Sequence, residues 1–290
     1  MFLILTPCIV IIACAVFTMI KFWQNDNFAQ LQGRWLFIFI KKSRLLMEHL
    51  PKHRGMANAF LKGDASFKSA LMSMGESIDS DFDGLKKIAF LKEAAIDKKE
   101  IQKIFDEWLQ LKKYFFDMPP EESFTKHSIL INKFLEIVED TAEVTYVNNH
   151  IDGIEQQLFN AVVSDIPLLA ETLGRARGLG TGVAAQAECS VENRIKLIYL
   201  LEKSKKLINK SLRPLVINDT LNTSGLKDSI NDSIGNCNEF FDMLQSTLID
   251  AEKIDIEPGE FYQSATGAIE SAFFLFDKMF PVVENSLGIK

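Results

Sequence analysis

The sequence predicts an all-α protein built as up-and-down helical bundles. Long stretches repeat apolar residues at the 3.6-residue period of a helix face. Only eight prolines and fifteen glycines break 290 residues, and no alternating strand pattern of any length interrupts the helical one. With 47% hydrophobic and 24% charged residues, the chain has apolar material for one large or two ordinary domains plus a membrane segment. A net charge of −7, with no basic patch interleaved with stacking aromatics, argues against a nucleic-acid partner.

Taken in order, Phe2 to Ile20 are uncharged and mostly apolar. As a helix they reach about 28 Å, the hydrocarbon thickness of a bilayer. Lys21, Phe22 and Trp23 follow as an interfacial anchor, so residues 1–23 read as a transmembrane helix and 24–290 as a helical domain. No Lys or Arg precedes the apolar run and no small-x-small site ends it, which argues against a cleaved signal peptide. A long helix is expected from Asn27 to Leu61, kinked at Pro51. Asp64 and Ser66 open a second helix holding Phe67, Leu71, Met74 and Ile78, and Asp97 caps a third with an apolar stripe from Ile101 to Phe115. A fourth runs from Ser123 to about Tyr146, with Phe124, Ile131, Leu135 and Val138 inward. The turn cluster Asn148 to Gly153 marks a junction between two four-helix-bundle-like halves, 24–149 and 150–290. Ile154–Ala187, Ser190–Leu215, Ser224–Leu248 and Phe261–Val283 supply the second half, with Ser190 and Pro258 at helix starts.

Catalytic patterns are missing. There is no GxSxG, P-loop, HExxH, Rossmann glycine pattern or kinase set, so no enzyme and no cofactor are expected. His49 and His53 stand at i, i+4 beside Glu48, a spacing that suits a metal. Pro51 lies between them and no third ligand is identifiable, so they read as ordinary surface histidines and no metal is expected. Cys189 and Cys237 form one disulfide or remain two buried thiols.

One stretch stands apart: Glu171-Thr172-Leu173-Gly174-Arg175-Ala176-Arg177-Gly178-Leu179-Gly180-Thr181-Gly182. Small residues in a helical pattern let a neighbouring backbone approach while guanidinium groups reach into the gap, and forked donors suit planar anions. An earlier stretch, His53-Arg54-Gly55-Met56-Ala57-Asn58-Ala59, repeats the Arg-Gly, apolar, small order, 123 residues before Arg177. The plain alternative is surface ion pairing, Arg175 or Arg177 with Glu171 or Glu188 and Arg54 with Asp64.

These stretches carry a family resemblance. Ile137-Val138-Glu139-Asp140-Thr141-Ala142, Asp165-Ile166-Pro167-Leu168-Leu169-Ala170-Glu171 and Leu173 to Gly180, with His53-Arg54-Gly55-Met56, Leu61 to Asp64 and Phe261 to Glu270, resemble the nitrate- and nitrite-sensing (NIT-like) region of bacterial chemoreceptors and sensor kinases. The resemblance implies two four-helix bundles with a small anion held between helices by arginines. Carried over, Arg54 matches the first of these, Arg175 or Arg177 the second, and His53 stands where an arginine is usual. Arg175 and Arg177 point about 200° apart on an ideal helix.

The expected function is a membrane-anchored sensory module that binds a nitrate- or nitrite-like anion, or another small polar ligand, and signals through a partner protein. The alternative is a non-catalytic scaffold or interaction module of the same fold with no ligand. The chain stops at Lys290, where a family receptor would cross the membrane again, so its output is expected to lie in that partner. Single-pass placement in a bacterial inner membrane follows. Lys21, Arg34, Lys41, Lys42 and Arg44 put the soluble part in the cytoplasm by charge, whereas the resemblance puts it outside. The aromatic stripe from Trp35 to Phe39 is a candidate homodimer seam.

Overall fold

In a computed structural model, the structure describes residues 5–91, 96–147, 153–218 and 225–286, with the helical backbone alone for 5–29 and 145–147. Every regular element among them is helical: α1 (Leu5–Leu61), α2 (Lys68–Ala89), α3 (Lys98–Tyr114), α4 (Pro120–Val147), α5 (Gly153–Asn160), α6 (Ile166–Gln186), α7 (Val191–Leu207), α8 (Arg213–Ile217), α9 (Leu226–Leu244) and α10 (Pro258–Ser286). The expected span over residues 1–23 lies outside the described side chains. Among the described residues, no helix is long and apolar enough to cross a membrane.

The C-terminal half of α1 packs on α2 and α4, with α3 closing that group; α10 packs on α6 and α9, and α6 on α7. One continuous core joins the two groups, running from Leu36 through Trp108, Phe134 and Leu173 to Val283. Burial of apolar faces drives this assembly, because isolated helices of this length are marginal in water. The Trp35–Phe39 stripe is used inside the chain: Phe37 is buried against Phe159 and Phe280, and Phe39 is fully buried. Trp35 is half-buried and Ile38 stays 41% exposed on the same stretch.

Local signals act as expected at several ends. Asp97 accepts from the Lys99 and Glu100 amides, and Ser190 from the Asn193 amide. Asp64 accepts from the Ser66 amide and opens the short 3-10 turn Ala65–Phe67 ahead of α2. Gly63, at φ +108°, lets the chain leave α1 in a conformation that a side chain would strain. The helix runs through Pro51 without ending. Three π-helical turns, Ala161–Asp165, Ile208–Leu212 and Gln245–Ile249, interrupt the later helices, and among the described residues the first four have none.

The glycines of α6 serve close packing. A Cβ at Gly178 would lie 2.9 Å from the Phe124 ring, and one at Gly180 would collide with Phe261. That agrees with the packing reading of these glycines over a phosphate loop. Cys189 and Cys237 are free thiols, the latter buried, and burial pushes its pKa up to about 12.

Candidate functional site

Arg54 follows Pro51 by three residues on the buried side of α1. Its Nη1 donates to Glu171 Oε1 of α6 at 2.5 Å and to Ser128 Oγ of α4 at 2.9 Å, and its Cζ lies 4.8 Å from the centroid of the Phe124 ring. Arg54 and Glu171 are 2% and 3% exposed, so this clasp ties α1, α4 and α6 together out of contact with water. A pair so buried is weak evidence of net stability, but removing one partner strands the other and costs about 3–5 kcal/mol. Glu171 Oε2 is buried with no hydrogen-bond partner among the described residues.

His53, beside Arg54, turns toward α3 and α4 instead. Its Nδ1 lies 2.9 Å from His127 Nε2, while His127 Nδ1 lies 2.7 Å from the Ser123 carbonyl. A carbonyl only accepts, so His127 carries its proton on Nδ1, and the neutral pair requires His53 Nδ1 to donate. Trp108 and Phe115 meet the His53 ring edge to face, and Trp108 is held by Asp79 through its Nε1 at 2.7 Å. Burial, then repulsion from His127 and Lys112, pushes the His53 pKa down to about 2. Burial likewise takes His127 down to about 4, with Arg54 adding to the effect and the Ser123 carbonyl opposing it. The surface reading of His53 is thus corrected. His49 engages Asp81 Oδ2 at 2.7 Å, so the two histidines at i, i+4 do not converge. Among the described residues, no group of three or more His, Cys, Asp or Glu side chains is placed to hold a metal.

Between α1, α6 and α10 lies a crevice of about 110 Å³, lined among others by Arg44, Glu48, Lys52, Gly174, Arg177 and Thr266. Glu48 takes Arg44 at 2.8 Å and Lys52 at 2.5 Å, and Arg44 also stacks 3.9 Å from the Phe273 centroid. Arg177 differs. Its Nη1 donates to Thr266 Oγ1 at 2.9 Å and its Cζ lies 4.7 Å from the Tyr262 ring, with no carboxylate within 4 Å among the described residues. Burial pushes its pKa below the usual guanidinium value, opposed by Tyr262 and Glu270 and reinforced by Arg54. Arg177 stays a cation regardless, since a guanidinium does not lose its proton near neutrality. Gly174 is the wall between the two arginines: a Cβ there would lie 3.3 Å from Arg54 Nη2.

The expected residues therefore separate. Arg54 and Arg177 flank Gly174, Arg175 is half-buried and does not line this crevice, and His53 belongs to another cluster. The expected surface pairs are corrected as well, since Glu171 holds Arg54 and Asp64 caps a turn. Sequence reasoning missed Ser128, His127, Thr266 and Tyr262. Helical spacing carried a signal for them: Ser123, Phe124, His127 and Ser128 share a face of α4, and Tyr262, Thr266, Glu270 and Phe273 a face of α10.

In fold, the chain is similar to the NasR transcription antiterminator. The match has a TM-score of 0.71 and covers 95% of this chain and 74% of that one at 14% identity, which shows a shared helical fold. No family model and no curated protein matches the chain.

Proposed function

We propose that this chain is a helical sensory module that binds a small oxyanion of the nitrate or nitrite class at Arg177 and signals through a partner protein. The observation that carries the reading is a half-buried guanidinium on a crevice whose neighbours hold it with a hydroxyl and a ring, leaving N–H donors for a planar anion. An anion there would offset the repulsion between Arg177 and Arg54 and draw α1, α6 and α10 together. The clasp from Arg54 to Glu171 and Ser128 then passes that shift to α4. The fold similarity to a transcription antiterminator agrees with a regulatory role. The membrane anchor in this reading rests on the apolar run Phe2–Ile20.

A second reading, a scaffold of the same fold without ligand, draws on Arg54, whose guanidinium is already held by a carboxylate, a hydroxyl and a ring. Thermal-shift titration of the purified full chain with nitrate, nitrite, chloride and acetate separates the two. Ligand at 100 times its Kd adds about 2.7 kcal/mol of stability. That gain should vanish in Arg177→Ala and persist in Arg175→Ala. A flat response to every anion would establish the scaffold reading.

A further inference from the structure

A second concave surface shares no lining residue with the crevice. It is an open trough of about 840 Å³ along the outer side of α3, whose lining runs from Lys98 to Tyr114 and takes in the start of α4. Seventeen residues of α3 make it about 25 Å long. Its floor is apolar: Phe90, Leu111, Tyr114, Met118, Ile129 and Leu130. Phe90 is 62% exposed, Ile129 49% and Tyr114 45%, so large apolar side chains here face water side by side.

Charge distinguishes the walls. Lys98, Lys99, Lys103 and Lys126 line the trough, and among the described residues Lys99 and Lys103 have no carboxylate within 4 Å. The two acids that share the wall are engaged: Asp106 accepts from Gln102 at 2.8 Å, and both oxygens of Glu107 take Lys133 at 2.9 and 2.8 Å. A basic rim on a chain of net charge −7 is a local choice of sign.

We infer that this trough docks an acidic amphipathic helix of a partner protein. Apolar side chains at i, i+3, i+4 and i+7 of such a helix would fill the floor, and its carboxylates would meet Lys99 and Lys103. A trough that runs the length of α3 suits a rod, whereas a bilayer surface meets a flat or convex patch. The rim supplies on-rate and orientation, and the floor supplies affinity.

The test is fluorescence anisotropy with the full chain and three labelled eighteen-residue probes: a Leu/Glu amphipathic helix, the same pattern in Leu/Lys, and a scrambled Leu/Glu peptide. The Leu/Glu helix should bind at least tenfold tighter than either control. Ile129→Asp, at an exposed position, should abolish the binding with an unchanged circular dichroism spectrum. Lys99→Glu with Lys103→Glu should weaken the Leu/Glu helix at least tenfold and favour the Leu/Lys one. Equal binding of the three probes, or binding indifferent to these variants, overturns the inference. Two other results do so as well: self-association lost in Ile129→Asp by sedimentation, which would assign the trough to a second copy, and variant-sensitive binding to vesicles of anionic lipid without peptide binding, which would assign it to a membrane.

Discussion

Arg54 and Arg177 open matching stretches of sequence, yet one is closed on itself and the other is open. Arg54 spends its guanidinium on Glu171, Ser128 and the Phe124 ring, whereas Arg177 has a hydroxyl and a ring and lines a crevice. Glu171 itself belongs to the second stretch and reaches past its own arginines to the first. A repeated motif thus meets two different surroundings, one guanidinium closed by a carboxylate and one held by a hydroxyl and a ring, because a single carboxylate falls to only one of the two cations.

The largest effect should come from cutting the clasp. Glu171→Ala strands a buried guanidinium and should cost about 3–5 kcal/mol in chemical denaturation. Replacing both partners, Arg54→Met with Glu171→Leu, should recover most of that loss. A double variant as unstable as the single one would show that Arg54 acts through Ser128 and Phe124, and the contrast with Arg177 would shrink.

Acid should come next, acting on the histidine that only the first stretch carries. His53 and His127 are held neutral in the fold, with pKa values pushed down to about 2 and about 4. The unfolded chain takes up protons below about pH 6.5 while the fold does not, so stability falls as pH drops through that value. The loss continues until the folded pKa values are reached. From neutrality to pH 5 the pair should cost on the order of 4 kcal/mol, and His127→Gln should flatten that slope by about half. Denaturation midpoints at pH 7 and pH 5 check both.

Smaller and opposite effects are expected at the glycines that follow the two arginines. Nothing lies within 4 Å of a Cβ at Gly55, on the exposed side of α1, so Gly55→Ala should stabilise by about 0.5–1 kcal/mol through helix propensity. A Cβ at Gly178 meets Phe124, so Gly178→Ala should destabilise by about 1–3 kcal/mol. Equal shifts in melting temperature for the two would mean that Phe124 yields easily and that α6 is not closely packed on α4.

A similarly small stability change is expected for Arg177→Ala without ligand. One hydroxyl hydrogen bond and one stacked ring are worth about 1 kcal/mol together. A loss as large as that of Glu171→Ala would give Arg177 the same structural role as Arg54.

The helices were readable because their causes are local. Asp97 and Ser190 cap where they stand, the stripe from Ile101 to Phe115 faces inward by its own period, and the α6 glycines sit where rings approach. Partners were not readable from spacing. Glu171 stands four residues from Arg175 and six from Arg177, yet it binds Arg54, 117 positions away. His53 could pair with His49 one turn back and pairs with His127 instead, 74 positions on.

By itself, then, the sequence determined an all-helical chain, its caps, its close-packed glycines and the arginines set beside small residues in two of its helices. Tertiary structure alone decided that Glu171 closes one of them, that Thr266 and Tyr262 leave the other open, and that lysines and apolar rings line a trough on α3. The reason is range. Helix periodicity and capping act within a few residues, whereas ion pairing and desolvation depend on which side chains the packing of distant helices brings within a few ångströms.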